Sequence, residues 1–416
     1  MTTKSSRVLL AAVLMAGTAM AALLATPAGA APTLSISVGN DLQDAQKAAS
    51  KKPPDFVAAA AAVAKAKTDA KTDFDNYTVD RVAISVSFNN NDPAGAAAAA
   101  QAAADSPAQP DTDKFNNTKT ALELSMLVKQ YDKAAKYAKV MEPMKEAATD
   151  PQAPGLITQA YYFGGDFADA KTSAQKTIDT AVKAGKTPDR QSLQLLMSAE
   201  VGLKDDAGAQ QTLEDQVKYY NDPNDWSQMI DVAITQNGIR DLDAVWLGRL
   251  LFTVGAKVTP DDANMIGSIA GHLTFFGDAV NAKTHGGTVD PDPVPRADAD
   301  KKTLPQQIAA EGAQNGTYSA KLAEALYSYG MYPEAEAAAQ TSMSKGGNAQ
   351  DPSEAPMVLG QAQVAQGKYD DAIASFGKVT GGGPATPRIV RLWTEYTNLK
   401  KNPPAAPATP ATASAK

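Results

Sequence analysis

The sequence predicts an all-α fold built from repeated helix–turn–helix hairpins, and three observations support this. Alanine dominates a chain in which aromatic residues make up 6% and charged residues 20%. Such a composition suits many thin interfaces between closely packed helices better than one thick core. An aromatic residue followed three positions later by alanine recurs along the chain. Asp, Asn, Gly and Pro punctuate the alanine-rich segments at the points where helices would begin and end.

The clearest hairpin is predicted after residue 353, with its turn at Gly367. Glycine accepts the left-handed backbone that often ends a helix, so the first helix is expected to end there. Tyr369 and Ala372 follow. Ala372 and Phe376 are four residues apart, so they share one face of the second helix. We expect Pro384 to stop this second helix.

Small and large residues alternate within this hairpin. Gly360 in the first helix and Ala372 in the second are small, so the two helices are expected to approach closely. Tyr369 and Phe376 are large and are predicted to fill the space between this hairpin and its neighbour.

Nine alanines are predicted to anchor the second helices of nine such hairpins. They are Ala59, Ala96, Ala134, Ala170, Ala209, Ala244, Ala282, Ala335 and Ala372. Successive anchors are 37, 38, 36, 39, 35, 38, 53 and 37 residues apart. Five have an aromatic residue three positions earlier, namely Phe56, Tyr131, Phe167, Tyr332 and Tyr369. Gly165 and Gly330 mark two further turns, whereas the register at Ala96, Ala209, Ala244 and Ala282 stays open because these units lack the aromatic residue.

The spacing of Gly360, Gly367, Tyr369, Ala372, Phe376 and Pro384 resembles the tetratricopeptide repeat, a helical hairpin of about 34 residues. Four other units resemble it more loosely, and Pro356 stands where this family usually has Trp. The resemblance implies a right-handed α-solenoid whose concave groove, lined by first helices, commonly binds peptides or proteins. It makes Tyr161, Tyr327 and Gln363 candidate groove residues.

The chain divides into five predicted segments. Residues 1–30 are predicted to be a signal peptide, 34–285 seven repeats, and 286–302 a Pro- and Asp-rich loop. Residues 303–401 would form two more repeats and a terminal capping helix that starts near Thr386. The apolar stripe of this helix comprises Ile389, Leu392, Trp393, Tyr396 and Leu399. Residues 402–416 are rich in Pro, Ala and Thr and are expected to be disordered.

Residues 1–30 have the pattern of a bacterial secretory signal. Lys4 and Arg7 precede a nearly unbroken apolar run, and Ala28-Gly29-Ala30 forms a small-x-small cleavage site. An uncleaved anchor is the alternative, but the run is shorter than the ~20 residues that a spanning helix needs. We therefore expect a periplasmic or secreted protein with no stable membrane span after cleavage.

Charge and composition exclude several classes of function. The net charge is −7, and removing residues 1–30 with their two basic residues would make it −9. No basic run occurs, so nucleic acid is not an expected partner. A groove that carried part of the net negative charge would favour a neutral or basic ligand. The chain has no cysteine and only two histidines, His272 and His285, which are expected to be packed or at the surface.

No motif predicts catalysis, a cofactor or a metal. The sequence contains no phosphate-binding G-x-x-x-x-G-K-[ST] loop and no H-E-x-x-H motif. Asp290, Asp292, Asp298 and Asp300 could bind a hard cation, but they lack the arrangement of a calcium-binding loop and predict a plain acidic segment.

Three functional hypotheses follow. The first is a non-enzymatic exported scaffold that presents a concave groove to a protein or peptide partner of unknown identity. The alternative is a protein that binds carbohydrate or an envelope polymer by stacking on Trp226 and Trp246, if these are exposed. The third is an enzyme whose acidic residues meet in the groove.

Overall fold

A computed structural model describes residues 33–403 of the protein. These residues form 21 α-helices, three short 3-10 helices and no strands, which confirms the all-α class. The predicted signal peptide and residues 404–416 of the predicted tail lie outside the described residues.

Residue contacts divide the chain into two compact units, with the boundary between Ala209 and Gln210. The helices of the N-terminal unit are α1 (Ile36–Ala49), α2 (Phe56–Asp69), α3 (Asp73–Asn89), α4 (Pro93–Asp105), α5 (Lys114–Leu127), α6 (Tyr131–Met141), α7 (Ala153–Phe163), α8 (Phe167–Lys183) and α9 (Arg190–Gly202). Helix α10 (Asp206–Tyr220) crosses the boundary.

The C-terminal unit continues with eleven helices. They are α11 (Pro223–Ile234), α12 (Asp241–Thr253), α13 (Pro260–His272), α14 (Phe276–Thr284), α15 (Val294–Lys301), α16 (Leu304–Ala310), α17 (Gly316–Ser328), α18 (Tyr332–Ser344), α19 (Glu354–Ala365), α20 (Tyr369–Phe376) and α21 (Thr386–Lys401). The 3-10 helices are Asp111–Asp113, Lys145–Ala148 and Glu311–Ala313.

Eight of the nine predicted hairpins are pairs of consecutive helices that pack against each other. The ninth pair, α9 and α10, is joined by a turn of the same kind. First helices of successive hairpins also pack together, as α1 does on α3 and α7 does on α9. Most helices therefore contact a neighbouring helix along the chain.

Seven hairpin turns share one backbone conformation. In each, the residue two positions before the second helix has a positive φ; these residues are Asn91, Lys129, Gly165, Lys204, Thr274, Gly330 and Gly367. At Gly367, for example, the amides of Gly367 and Lys368 donate to the carbonyls of Val364 and Gln363 at 3.0 and 2.9 Å. These paired bonds satisfy the last carbonyls of the first helix and reverse the chain.

The anchor position is the fourth residue of the second helix. Ala59, Ala134, Ala170, Ala335 and Ala372 occupy it and are buried, and Phe56, Tyr131, Phe167, Tyr332 and Tyr369 are the matching first residues. Ala96, Ala209 and Ala244 occupy the same position, although Ala209 is only half-buried. The predicted register at Ala282 is wrong by three residues, because helix α14 begins at Phe276 and its fourth residue is Ala279.

The predicted alternation of small and large residues is present in the last hairpin. A Cβ atom added to Gly360 would lie 2.4 Å from the ring of Phe376, so glycine is what permits this close approach. Phe376 also lies 6.2 Å, between ring centroids, from Trp393 on helix α21. Pro384 does not end α20 as predicted. The helix ends at Phe376, eight residues earlier, where Gly377 follows.

The segment 286–302 is not entirely a loop, as the sequence had suggested. Residues 294–301 form helix α15, with Pro295 in its first turn. Proline is tolerated there because the first amides of a helix have no partner within the helix. Pro295 therefore lies at the start of a helix, in a segment for which the sequence predicted a loop.

Ion pairs link successive hairpins at separations close to one repeat. In the N-terminal unit, Lys119 pairs with Asp150 at 2.7 Å and Lys136 pairs with Asp105 at 2.8 Å. In the C-terminal unit, Lys368 pairs with Glu336 at 2.6 Å. In both units, these ion pairs connect one hairpin with the next.

Helix α12 is the centre of the C-terminal unit. It packs on α11, α13 and also on α21, the last helix of the chain. Helix α21 buries its predicted stripe and packs on α19 and α20 as well. The indole of Trp393 donates to the carbonyl of Trp246 at 3.0 Å. The terminal helix thus covers the last hairpin and also packs on α12.

Candidate binding cleft

The C-terminal unit contains a cleft of about 570 Å³. Helices α12 and α14, helix α15 and the turn between α17 and α18 form its walls. This volume lies within the range of pockets that hold small ligands or single side chains.

Helix α15 is the part of this cleft that does not belong to a hairpin. It comes from the additional residues that lengthen one interval between anchors, and it packs on α14. Val294, Ala297, Asp298 and Lys301 on this helix line the cleft. Helix α15, which interrupts the regular spacing of the hairpins, therefore forms one wall of the cleft.

Aromatic rings line much of the cleft. Phe252 stacks on His285 with ring centroids 4.4 Å apart and an interplanar angle of 17°. Tyr327 and Tyr332 lie 5.2 Å apart, and the guanidinium carbon of Arg249 lies 4.3 Å from the centroid of Tyr327. The cleft thus combines flat apolar surfaces with charged groups.

A buried ion-pair network forms the base of the cleft. Nε and Nη2 of Arg249 donate to Oδ2 of Asp278 at 3.0 and 2.7 Å. Nη1 donates to Glu324 at 2.5 Å and to Gln361 at 2.9 Å. The indole of Trp246 donates to the other oxygen of Glu324 at 3.0 Å. Four helices of the unit are joined through one guanidinium.

The environment of Arg249 keeps it charged. Burial alone disfavours the cation, but Asp278 and Glu324 outweigh this effect, so the pKa of Arg249 lies above its ordinary value. A buried charge is tolerated only when it is paired and hydrogen-bonded, as this one is.

Two candidate groove residues from the sequence lie away from this cleft. Tyr161 is buried in the N-terminal unit, where its hydroxyl donates to Glu142 at 2.8 Å. Gln363 is buried on α19, where its carbonyl oxygen accepts from Ser375 at 2.7 Å. Tyr327 does line the cleft, together with the repeat residues Gly330 and Tyr332.

Both tryptophans proposed to stack on a sugar are buried. Trp226 is 1% exposed and Trp246 is 0% exposed. Trp226 donates its indole N–H to Asn221 at 2.9 Å and packs edge-on against Tyr396. Neither indole offers a face to a ligand, because helix α21 and the network around Glu324 occupy the space that exposure would require. The sugar-stacking role expected of them is corrected accordingly.

The residues that build the cleft were mostly missed. Asp298 was predicted as part of an acidic segment and His285 as a packed or surface residue. His285 is half-buried and stacks on Phe252. The sequence does indicate that Arg249 is unusual, because it is a charged residue within the apolar run of residues 245–251. Nothing local distinguishes Asp278 from the other acidic residues.

Two acidic residues of the former loop are engaged with other side chains. Asp292 pairs with Lys283 at 2.9 Å, and Asp300 accepts from the hydroxyl of Tyr329 at 2.8 Å. Across residues 33–403, no three His, Asp or Glu side chains are grouped so as to hold a metal ion. The same residues include no helix long and apolar enough to span a membrane.

Comparisons with known proteins add no relative: no family model matches the chain, and a search of the curated proteins finds no match.

Proposed function

We propose that this protein is an exported, non-enzymatic binding protein whose hairpins stack as tetratricopeptide-like repeats in a right-handed solenoid arrangement. It holds a protein or peptide partner, and the cleft beside α15 is a point of contact. Export is proposed from the signal pattern of residues 1–30 alone.

The observation that carries this proposal is the cleft itself. It is built on helices, and its base is fixed by the buried bonds of Arg249. A rigid, preformed cleft costs little ordering on binding, so more of the contact energy is available for affinity. Its aromatic and charged lining suits a peptide, which offers apolar and polar groups side by side.

The proposal of a non-enzymatic role is supported by how the charged groups of the cleft are used. Arg249 and Asp278 are bonded to each other, and His285 stacks on Phe252 while its Nδ1 lies 2.9 Å from the carbonyl of Asn281. These groups hold the structure together and are poorly placed to exchange protons with a substrate.

A second candidate is a protein that binds carbohydrate or an envelope polymer. The tryptophans no longer support it, but the stacked pair of Phe252 and His285 in the cleft wall does, because sugars bind on flat aromatic surfaces.

The test is a crosslinking pull-down with the mature chain from Ala31, analysed by mass spectrometry beside a glycan array. Asn281→Arg places a bulky side chain in the cleft, and Asn398→Arg is the matched change at an exposed site outside the cleft lining. We expect a protein partner that its own peptide competes away and that Asn281→Arg alone releases. Glycan binding with no protein partner would overturn the proposal in favour of the second candidate.

A further inference from the structure

The cleft contains two polar groups that the protein leaves unpaired. Both N–H groups that reach Asp278 go to Oδ2, so Oδ1 accepts no hydrogen bond from a described residue. The hydroxyl of Tyr327 makes none within residues 33–403 either. The two residues are only 5% and 8% exposed, yet both line the cleft. An ionised carboxylate only accepts hydrogen bonds, so a ligand that satisfies Oδ1 must be a donor.

An anionic ligand would have to rely on Lys301, because the guanidinium of Arg249 has no free donor to offer. Its Nε and Nη2 bond to Asp278, its Nη1 bonds to Glu324 and Gln361, and its remaining N–H approaches the carbonyl of Glu324 at 3.5 Å. Lys301 is the one other Lys or Arg of the cleft lining.

The distribution of charge leaves room for a cation. Two negative charges, on Asp278 and Asp298, and two positive charges, on Arg249 and Lys301, line the cleft. The positive charge of Arg249 is shared between Asp278 and the buried Glu324. Asp298, on the α15 wall, pairs with no described residue. An ammonium or guanidinium group would also lie favourably beside the rings of Tyr327 and Tyr332.

We infer that the cleft binds a lysine or arginine side chain from an extended segment of the partner. The cationic head group lies against Oδ1 of Asp278 and the hydroxyl of Tyr327, and the alkyl stem lies along the aromatic wall. The inference rests on the proposed function and specifies the chemistry of its partner.

The probe is Nα-acetyl-lysine methylamide, titrated against the full mature chain and followed by saturation-transfer NMR. The norleucine analogue has a similar stem without the charge, and the glutamate analogue reverses the charge. We expect the lysine probe to bind at least about tenfold more tightly than the norleucine probe, because it adds charge-assisted hydrogen bonds. The glutamate probe should show no saturable binding.

Variants test the assignment of the groups. Tyr327→Phe and Asp298→Asn should each weaken binding of the lysine probe severalfold, whereas Lys301→Gln should strengthen it by removing a competing cation. Asp292→Asn is the matched control on the same segment, since Asp292 pairs with Lys283 outside the cleft lining, and it should change nothing. Asp278→Asn, which disturbs the pair with Arg249, is interpreted only together with these variants.

Equal affinity for the lysine and norleucine probes, or saturable binding of the glutamate probe, would overturn the inference. Putrescine that binds more tightly than the lysine probe would also overturn it, because the site would then take a free amine. If Asn281→Arg releases a captured partner while the lysine probe fails to bind, the proposed function stands and this inference alone is wrong.

Discussion

At the residue scale, Arg249 determines the interior of the C-terminal unit. Its single guanidinium serves Asp278 and Glu324, whose side chains are buried. Removing one member of such a group leaves an uncompensated charge inside the protein. The free-energy cost of that unpaired charge exceeds the net stabilisation that the intact ion pair provides. The partners lie 29 and 75 residues away in sequence, so the pairing was not predictable from spacing.

Arg249→Met should therefore lower the free energy of unfolding of the C-terminal unit by about 3–5 kcal/mol. The three tryptophans, Trp226, Trp246 and Trp393, all lie in this unit, so their fluorescence during urea unfolding follows it selectively. Lys283→Met, which breaks a pair between two exposed side chains of the same unit, is the control and should have little effect on stability. Unchanged stability in Arg249→Met would show that the network is not structural.

Asp75 predicts a pH dependence in the N-terminal unit. Burial alone would raise its pKa. Hydrogen bonds from Ser35, from the amide of Lys71 and from Thr72 outweigh burial and hold the pKa well below its ordinary value. A carboxyl group with a lowered folded pKa stabilises the protein above its unfolded pKa, about 3.9, and this contribution disappears as the pH falls towards the folded pKa.

Asp75→Asn should accordingly lower the urea midpoint at pH 7 and differ progressively less from the native chain below about pH 4. Circular dichroism follows both units, and subtracting the transition seen by tryptophan fluorescence isolates the N-terminal unit. A difference that is the same at pH 3 and pH 7 would contradict the role given to the ionised carboxylate.

At the element scale, the hairpin turn and its anchors were predictable because they are local. An aromatic first residue and a fourth-position alanine recur in fixed order, and five hairpins were placed correctly from that order. Four of these five also have a residue with positive φ two positions before the second helix. The register failed at Ala282 because the chain is so rich in alanine that two buried alanines, Ala279 and Ala282, lie three residues apart. The aromatic residue before Ala279 was the distinguishing signal.

Gly360→Ala tests the close approach within the last hairpin. The added methyl group would lie 2.4 Å from the ring of Phe376, which is itself buried against Trp393. We expect a loss of about 1–3 kcal/mol in the unfolding free energy measured by tryptophan fluorescence. Gly271→Ala is the control, because its methyl group would meet nothing within 4 Å in the helix α13, and it should be neutral or slightly stabilising.

Thr274 tests the shared turn. It is β-branched and has a φ of 64°, a conformation that Gly165, Gly330 and Gly367 adopt at the same position of their hairpins. Thr274→Gly should raise the stability of the C-terminal unit by up to about 1 kcal/mol, and Gly367→Ala should lower it by a similar amount. If Thr274→Gly destabilises the unit, the side chain of Thr274 has a packing role that outweighs the backbone strain.

At the scale of the whole molecule, the sequence predicted the helices and their pairing but not the enclosure of α12 by α21. Arg240 illustrates why. It bonds to Asp243 three residues away and also to Asp351 and Thr386, which lie 111 and 146 residues away. The amphipathic stripe of α21 showed that the helix must be covered, whereas the identity of the covering helix depended on long-range packing.

The burial of Trp226 and Trp246 follows from the same enclosure, and it shifts the proposed contact surface to the cleft beside α15. That wall comes from a proline-rich segment in which a helix was not predicted, so the cleft could not be placed from sequence. Among the lining residues, the repeat pattern predicted Gly330 and Tyr332 as parts of a hairpin turn, and the family resemblance predicted Tyr327 as a groove residue.

The most direct test of the proposed function is site-specific photo-crosslinking from the mature chain, with the crosslinking amino acid in place of Asn281 in the cleft or of Asn398 outside its lining. We expect one protein partner captured from position 281 and not from 398, through a crosslinked peptide that carries a lysine or arginine beside the attachment point. Capture of the same partner from both positions, or from 398 alone, would contradict the proposal that this cleft holds the partner.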